Sequence, residues 1–253
     1  MIDPKFMKAV VSSRRDISHE LWIVRIRPEE KMVFTAGQYV TVGLPGNPRM
    51  VERPYSVASS PREPELEFFL ELVPEGQLTP QLYALPVGSE VYMRRSAKGR
   101  FLLDQSSGHP NHFMVATVTG AAPFVSMLRE LAAREAEGQA IPYRIALIHA
   151  ASVSQEFGYY EELSRLAQDH EWFRYIPSIS RTWLDPAWTG ELGRSEDIAR
   201  KHLDGLGFTA RDTTAYACGN PNMVENVKGA LQRAGFTKEF LKEELYWVAE
   251  KTA

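Results

Sequence analysis

Hydrophobic periodicity changes once along this chain, and that change divides it. From Lys8 to about Leu103 the apolar residues come in short β-type runs: Leu21–Ile26, Gln38–Val42, Leu66–Leu72 and Val91–Met93, with Val57 continuing the pattern. Gly37, the stretch Gly43–Pro48 and Pro61 punctuate the runs. Short strands at such spacing predict a small antiparallel barrel or sandwich. Asp104–Asn111 is polar and rich in breakers, which places the boundary there.

Beyond it, strand-like and helix-like runs alternate. Phe113–Ala116, Arg144–Ala150, Phe173–Ile179 and Ala215–Cys218 read as buried strands. Helices are predicted from Ala122-Pro123, from Tyr159 to about Gln168, from Glu196 to Leu203 and from Pro221 to Ala234. Phe124, Met127 or Leu128, and Leu131 keep helical spacing, as do Val224, Val227 and Leu231. The alternation predicts a parallel sheet covered by helices on both faces. Such sheets bind ligands beyond the carboxyl ends of their strands. Thr117–Gly120, His149–Ala151, Ser180-Arg181 and Cys218–Pro221 all fall at those ends. The chain has 253 residues, enough for two ordinary domains.

Composition narrows the function. A formal net charge of −3 argues against broad nucleic-acid binding. No apolar run approaches the roughly 20 residues that span a bilayer, and Met1–Lys5 lacks the apolar core of a signal peptide. The reading is a cytoplasmic protein without membrane insertion. Cys218 is the sole cysteine, so neither an internal disulfide nor a protein-held iron–sulfur cluster is expected, and no metal site is predicted.

Two stretches of the first half carry chemistry. In Arg53-Pro54-Tyr55-Ser56-Val57-Ala58-Ser59-Ser60, an extended strand directs alternate side chains to one face. A cation, a flat aromatic and a hydroxyl suit a ligand with a phosphate, a planar ring and a ring nitrogen, which describes a flavin nucleotide. The other reading is a half-buried strand with a surface arginine. Further on, Thr79 and Pro80 have the types of an N-cap and a first helical residue. Gly76-Gln77-Leu78-Thr79 then leads into a helix N-terminus of the kind that holds anions. An ordinary capped helix under a barrel reads the same way.

With these segments assembled, the chain resembles the ferredoxin–NADP(+) reductase family, most closely its bacterial branch. The resemblance rests on Arg53–Pro61, Leu66–Leu85, Ala116–Leu128, Cys218–Val224 and Tyr246-Trp247, in that order. It implies a two-domain chain, with an antiparallel β-barrel FAD domain over 1–105. An α/β parallel-sheet nicotinamide-nucleotide domain with a C-terminal aromatic lid follows over 111–253. It implies that Arg53, Pro54, Tyr55 and Ser56 form the flavin motif, with the Tyr on the isoalloxazine, the Ser near flavin N5 and the Arg facing the pyrophosphate. Leu70, Glu71 and Leu72 match a strand along the flavin, and Gly76, Leu78 and Thr79 the phosphate loop. Thr117, Thr119, His149, Ala150, Ser152, Ser180 and Arg181 fall on the side of NADP(H) or NAD(H). Cys218, Gly219, Asn220, Pro221 and Met223 match the nicotinamide-side motif, where Cys218 positions and is no nucleophile. Tyr246 and Trp247 match the terminal aromatic pair, Trp247 being the lid that yields to nicotinamide. Ser56, Cys218 and Trp247 are the expected catalytic group. Val248–Ala253 extend beyond the lid, to reach the adenine end of the flavin, to bring Glu250 as a proton carrier, or simply as a frayed terminus.

The implied function is a reductase that moves electrons between NAD(P)H and a separate one-electron carrier by hydride transfer to flavin N5. A ferredoxin or flavodoxin would dock on the basic run Arg94, Arg95, Lys98 and Arg100. The alternatives are a reductase for another acceptor, such as a free flavin, a quinone or an oxygenase component, and a flavin-binding redox sensor or electron-transfer subunit without its own NAD(P)H turnover. Two departures from the family pattern bear on this. Where the family reads Ala-Thr-Gly-Thr-Gly, this chain has Ala116-Thr117-Val118-Thr119-Gly120. Two positions that hold Arg in bacterial relatives are Ser152 and Glu191. A glutamate there would repel a 2′-phosphate, which predicts weak discrimination between NADP(H) and NAD(H).

Overall fold

The structure, a computed structural model, describes residues 3–46 and 49–246. Its first six strands are β1 (Phe6–Asp16), β2 (Leu21–Pro28), β3 (Tyr39–Leu44), β4 (Val51–Ser56), β5 (Leu66–Glu71) and β6 (Glu90–Arg94), with helix α1 (Thr79–Ala84) between β5 and β6. They form one sheet in the order β4-β3-β6-β1-β2-β5, every pair antiparallel. A register shift between Val11 and Ser13 bends β1, as a bulge does.

Alternation builds the interior. Ala9 and Val11, Trp22, Val24 and Ile26, Val40, Val42 and Leu44, Leu66, Phe68 and Leu70, and Val91 and Met93 all bury into one cluster. Each set keeps the two-residue period of a strand with one buried face. The segment after β4 curls the sheet toward closure. Ala58 N donates to Glu67 O at 2.8 Å, and Glu67 N donates to Ser59 Oγ at 3.1 Å. This compact unit extends to Leu103 and also takes in Ala122–Glu130. Ser126 Oγ donates to Ser59 O at 2.7 Å, and Arg129 binds Ala58 O at 3.0 Å and the Glu67 carboxylate at 2.9 Å.

The other unit comprises Asp104–Ala121 and the described residues from Leu131 on. Its strands are β7 (Asn111–Thr117), β8 (Arg144–Ala151), β9 (Phe173–Ile179), β10 (Glu191–Leu192), β11 (Thr213–Gly219) and β12 (Leu241–Leu245). The helices are α3 (Tyr160–Asp169), α4 (Ser195–Gly205) and α5 (Pro221–Arg233), with the part of α2 (Ala122–Ala136) from Leu131 on; its first part belongs to the barrel unit. All strand pairs are parallel, in the order β10-β9-β8-β7-β11-β12. Every residue of β11 is buried, and so are all but the last of β7. That is the pattern of parallel strands covered on both faces. Val224, Val227 and Leu231 of α5 meet Ile198, Ala199 and Leu203 of α4 in one apolar cluster.

The boundary stretch is itself folded. Asp104 Oδ1 accepts from Ser106 N, Ser106 Oγ and Ser107 N, and Oδ2 pairs with Lys242 at 3.0 Å. Burial opposes its charge, but the bonds from Ser106 and Lys242 outweigh burial and hold its pKa down to about 2. Among the described residues, no helix is long and apolar enough to cross a membrane, and no group of three or more His, Cys, Asp or Glu could hold a metal ion.

Candidate functional site

On the barrel, β4 carries the first candidate residues. Val51, Arg53 and Tyr55 alternate onto one face. Arg53 is exposed, and one guanidinium nitrogen donates to Glu52 O at 2.8 Å. Tyr55 is half-buried, its ring edge-on to Phe68 with centroids 6.4 Å apart. Its hydroxyl is buried with no hydrogen-bond partner among the described residues. Burial pushes the phenol pKa up, and the nearby Arg53 charge only partly opposes this, so the phenol keeps its proton. A buried donor on the face that carries Arg53 suits a ligand with an acceptor beside an anion, so these residues fit a flavin nucleotide. Pro54 is exposed, and Ser56 is buried on the opposite face. Leu70 lies 3% exposed in the barrel core, Leu72 packs against that core, and Glu71 is exposed. The first two offer backbone and shape, not polar groups.

The Gly76–Thr79 loop differs from its predicted form. Thr79 is the first residue of α1, not its cap; the cap is Leu78, which makes no side-chain bond and is buried in the barrel core. The Thr79 hydroxyl instead accepts from Val73 N at 3.0 Å and lies 3.3 Å from Val73 O. It closes the loop on itself, with Gly76 N donating to Val73 O. A Cβ at Gly76 would stand 2.9 Å from that same carbonyl, so the tight turn needs glycine. The basic run is partly neutralised. Arg94 pairs with Glu52 and Arg95 with Glu29 and Glu30, which leaves the exposed Lys98 and Arg100 as the sources of positive field.

On the parallel sheet, strand order reverses between β7 and β11, which begin and end the β7–β11 excursion of the chain. The crevice beyond their carboxyl ends is where open sheets of this kind take ligands. Two loops meet there. Gly219 has φ 126°, and a Cβ on it would lie 2.4 Å from Thr117 Oγ1. A Cβ on Gly120 would lie 2.3 Å from Cys218 O. Thr117 Oγ1 accepts from Asn220 N at 3.0 Å, and Asn220 Oδ1 accepts from Asn222 N at 2.9 Å, capping α5 ahead of Pro221. Met223, also in the first turn of α5, is buried in its core. Thr119 is 7% exposed, and its carbonyl accepts from the Tyr246 hydroxyl at 3.4 Å. Tyr246 N donates to Gly219 O at 2.9 Å, so Tyr246 ties both loops together. Cys218 is wholly buried, and burial, with the Glu244 charge adding to it, pushes its thiol pKa well up. Burial thus favours the neutral thiol over the thiolate.

Between these glycines the turn carries the one non-glycine residue with positive φ among the described residues, Val118 at 42°. A β-branched residue there costs about 1–3 kcal/mol. His149 is wholly buried; one ring nitrogen, Nε2, lies 2.9 Å from Val118 O and the other, Nδ1, 3.1 Å from the Tyr175 hydroxyl. Both nitrogens are engaged inside the protein, and Ala150 beside it is 5% exposed.

At the ends of β8 and β9, Arg181 is exposed and its amide donates to Ser152 O at 2.9 Å, while Ser180 N donates to Ala151 O at 3.1 Å. The expected repulsion from Glu191 needs correction. Its carboxylate lies 2.7 Å from Lys201 Nζ and 2.7 Å from His202 Nε2, and the Lys201 bond leads in lowering its pKa. Its charge is offset where it stands. A different carboxylate occupies this corner: Glu156 Oε2 accepts from Ser152 N at 2.6 Å. Sequence reasoning missed Glu156, Tyr175 and Glu244. Only Glu244 left a signal, lying two residues before Tyr246; it stands on β12 beside Cys218 in register. Trp247, Glu250 and the rest of Val248–Ala253 lie outside the described residues.

Comparison with known proteins agrees with this arrangement. Residues 8–102 match the model of the oxidoreductase FAD-binding domain, and residues 114–229 that of the oxidoreductase NAD-binding domain. The chain is 32% identical over 199 residues to a flavodoxin/ferredoxin–NADP reductase of Escherichia coli (strain K12), covering 77% of each chain. It is 30% identical over 258 residues to the phenol 2-monooxygenase reductase component DmpP of Pseudomonas sp. (strain CF600), covering 98% of this chain and 70% of that one. Its fold matches the crystal structure of a ferredoxin NADP+ reductase from Neisseria gonorrhoeae with bound FAD and NADP. The TM-score there is 0.86 at 22% identity, over 97% of this chain and all of the other. The chain belongs to the ferredoxin–NADP(+) reductase family and is an oxidoreductase that uses FAD and a nicotinamide dinucleotide.

Proposed function

We propose that this reductase moves electrons between NAD(P)H and a separate one-electron carrier, with Arg53, Tyr55 and Ser56 holding the flavin and the loops at Thr117–Gly120 and Gly219–Pro221 holding the dinucleotide. When bound, FAD would supply a hydride acceptor at N5 and a carrier able to release electrons singly. The observation that carries the reading is the buried phenol of Tyr55, without a hydrogen-bond partner among the described residues, on the Arg53 face of β4. Arg53 counters phosphate charge, Tyr55 presents a donor and a ring face, and the Ser56 hydroxyl answers changing charge beside N5. Cys218 and Tyr246 shape the nicotinamide's approach, and Arg181 meets a 2′-phosphate; the lid expected of Trp247 lies outside the described residues. Gly76, Leu78 and Thr79 shape the phosphate loop, and 1–105 and 111–253 are the flavin and nucleotide domains.

The carrier reading takes a ferredoxin or flavodoxin docked by Lys98 and Arg100, in the cytoplasm. A second reading, in which the acceptor is an oxygenase component, is favoured by the likeness to DmpP over 98% of this chain. The test is anaerobic mixing of the flavin-loaded protein with NADPH and, separately, with NADH, following the oxidised-flavin band near about 450 nm. Bleaching by either followed by reoxidation with flavodoxin supports the proposal. Absence of bleaching with both nucleotides refutes it.

A further inference from the structure

The turn at the switch point of the parallel sheet is built against the preference of its own residue. Val118 takes φ 42°, a left-handed conformation that β-branched side chains resist. Such a conformation persists where its surroundings over-determine it. Two sets of contacts do so here. The Val118 side chain packs against Ala151, Phe157 and Ile179. Its carbonyl faces His149 Nε2 at 2.9 Å. A carbonyl only accepts, so Nε2 carries the proton and donates. In the neutral ring Nδ1 is then an acceptor, and the Tyr175 hydroxyl, 3.1 Å away, donates to it. The imidazole is wholly buried, and the Phe157 ring stands edge-on to it at 4.9 Å. The ring is therefore fixed in one tautomer and one orientation, aimed at the one carbonyl that the left-handed turn redirects.

We infer that His149, braced by Tyr175, is a positioning residue: it holds the Thr117–Gly120 turn in the conformation Val118 opposes, and so sets the surface on which the dinucleotide rests. A glycine at position 118 would adopt this conformation unaided. The valine makes the turn depend on the histidine. The inference rests on the placement of the dinucleotide at this sheet edge proposed above.

The test is a double-mutant cycle on the full-length, flavin-loaded protein. NADP+ and NAD+ affinities are measured by titration calorimetry for wild type, His149→Phe, Val118→Gly and the pair, with flavin content and melting midpoint recorded for each. His149→Phe leaves a buried carbonyl without its donor, and nucleotide affinity should fall about tenfold. In the Val118→Gly background the same change should cost less than about threefold. His149→Gln, whose amide still donates, should recover part of the loss. If His149→Phe does not fold, Tyr175→Phe replaces it in the cycle, with the same dependence on position 118 expected. Equal losses in both backgrounds, or a Gln variant as weak as Phe, overturn the inference. Arg181→Ala separates the two claims. If it weakens NADP+ binding and the His149 variants do not, the positioning role fails alone. If none of them alters affinity, the placement fails and the inference falls with it.

Discussion

The barrel and the parallel sheet use their side chains in opposite ways. On the barrel, β4 places Arg53 and Tyr55 on the Val51 face, the first exposed and the second packed against the core with a buried hydroxyl that has no partner among the described residues. On the sheet, the candidate residues are spent on one another. Thr117 binds Asn220, His149 binds Val118 and Tyr175, Tyr246 binds Gly219 and Thr119, and Glu156 binds Ser152. On the proposed function, the barrel strand delivers side chains to its ligand, whereas the switch point delivers backbone that its side chains hold in place. Substitutions on β4 should act on ligand contacts, and substitutions on the sheet should act through conformation.

The widest expected gap between the two units is in acid. Burial lowers both His112 and His149 to about 4, each wholly buried. For His112 the Asp104 charge works against that shift. An unfolded chain protonates histidine near 6.5. Between about 6.5 and 4 the unfolded state thus binds more protons, so stability is fully present above that window and lost as pH falls through it. Each histidine accounts for about 3 kcal/mol over the window. The barrel's single histidine, His19, is exposed. Hydrogen exchange at pH 7 and pH 5 should show peptides of the parallel sheet losing protection while barrel peptides keep theirs. Equal loss in both units would break the comparison.

Next in size are the glycines. Gly219→Ala puts a Cβ 2.4 Å from Thr117 Oγ1 at φ 126°, and Gly120→Ala puts one 2.3 Å from a backbone carbonyl. Each should cost about 3 kcal/mol in denaturant unfolding and displace the loops. Nucleotide affinity should fall more than tenfold, with flavin content retained. Flavin lost in parallel with nucleotide binding would show that the sheet loops do more than hold the dinucleotide.

Legibility in the sequence followed the same division. The barrel strands β2, β3, β5 and β6 were readable as short β-type runs between turn residues, and β4 as an extended stretch; β1 was not read, because Ser12, Ser13, Arg14 and Arg15 break its apolar pattern. The buried strands β7, β8, β9 and β11 were readable as apolar runs. β12, with the sequence Leu241-Lys242-Glu243-Glu244-Leu245, was not, because a half-exposed edge strand carries charge where a run would be apolar. The binding of Ser126 and Arg129 to Ala58, Ser59 and Glu67 was also hidden, since helical spacing reports which face is apolar and not what polar atoms it meets. Val118 was visible as a departure from the family pattern. What holds it was not, because His149 and Tyr175 reach it from two other strands, 31 residues away in the case of the histidine.

Arg53→Ala sharpens the comparison on the barrel side. Arg53 is exposed, and its guanidinium donates to the carbonyl of the preceding residue, so its removal should leave the melting midpoint of the flavin-free protein within about 1 °C. Loss of a charge-assisted contact to phosphate should weaken FAD binding about ten- to thirtyfold. Flavin fluorescence on dilution measures it. A fall in apo-protein stability of the same size as the fall in affinity would mean that Arg53 supports the strand, in the manner of the sheet residues, and the division between the two regions would fail.

The smallest expected effect concerns the choice between NADP(H) and NAD(H), where two glutamates at the same sheet edge differ in kind. Glu191 is paired with Lys201 and His202, so Glu191→Gln should leave a cation less well compensated and change the NADP+/NAD+ affinity ratio by less than about twofold. Glu156 sits on the amide of Ser152, whose carbonyl receives the amide of Arg181. Its charge therefore lies in the loop that anchors Arg181, the residue proposed to meet a 2′-phosphate. Glu156→Gln keeps the shape and an acceptor oxygen and removes the charge, which should raise the ratio about three- to fivefold at low salt and less at high salt. Titration of both nucleotides at two salt concentrations decides between them. A larger change from Glu191 than from Glu156 would mean that the ion pair with Lys201 opens when nucleotide binds, and that this sheet edge, like the barrel, delivers side chains to its ligand.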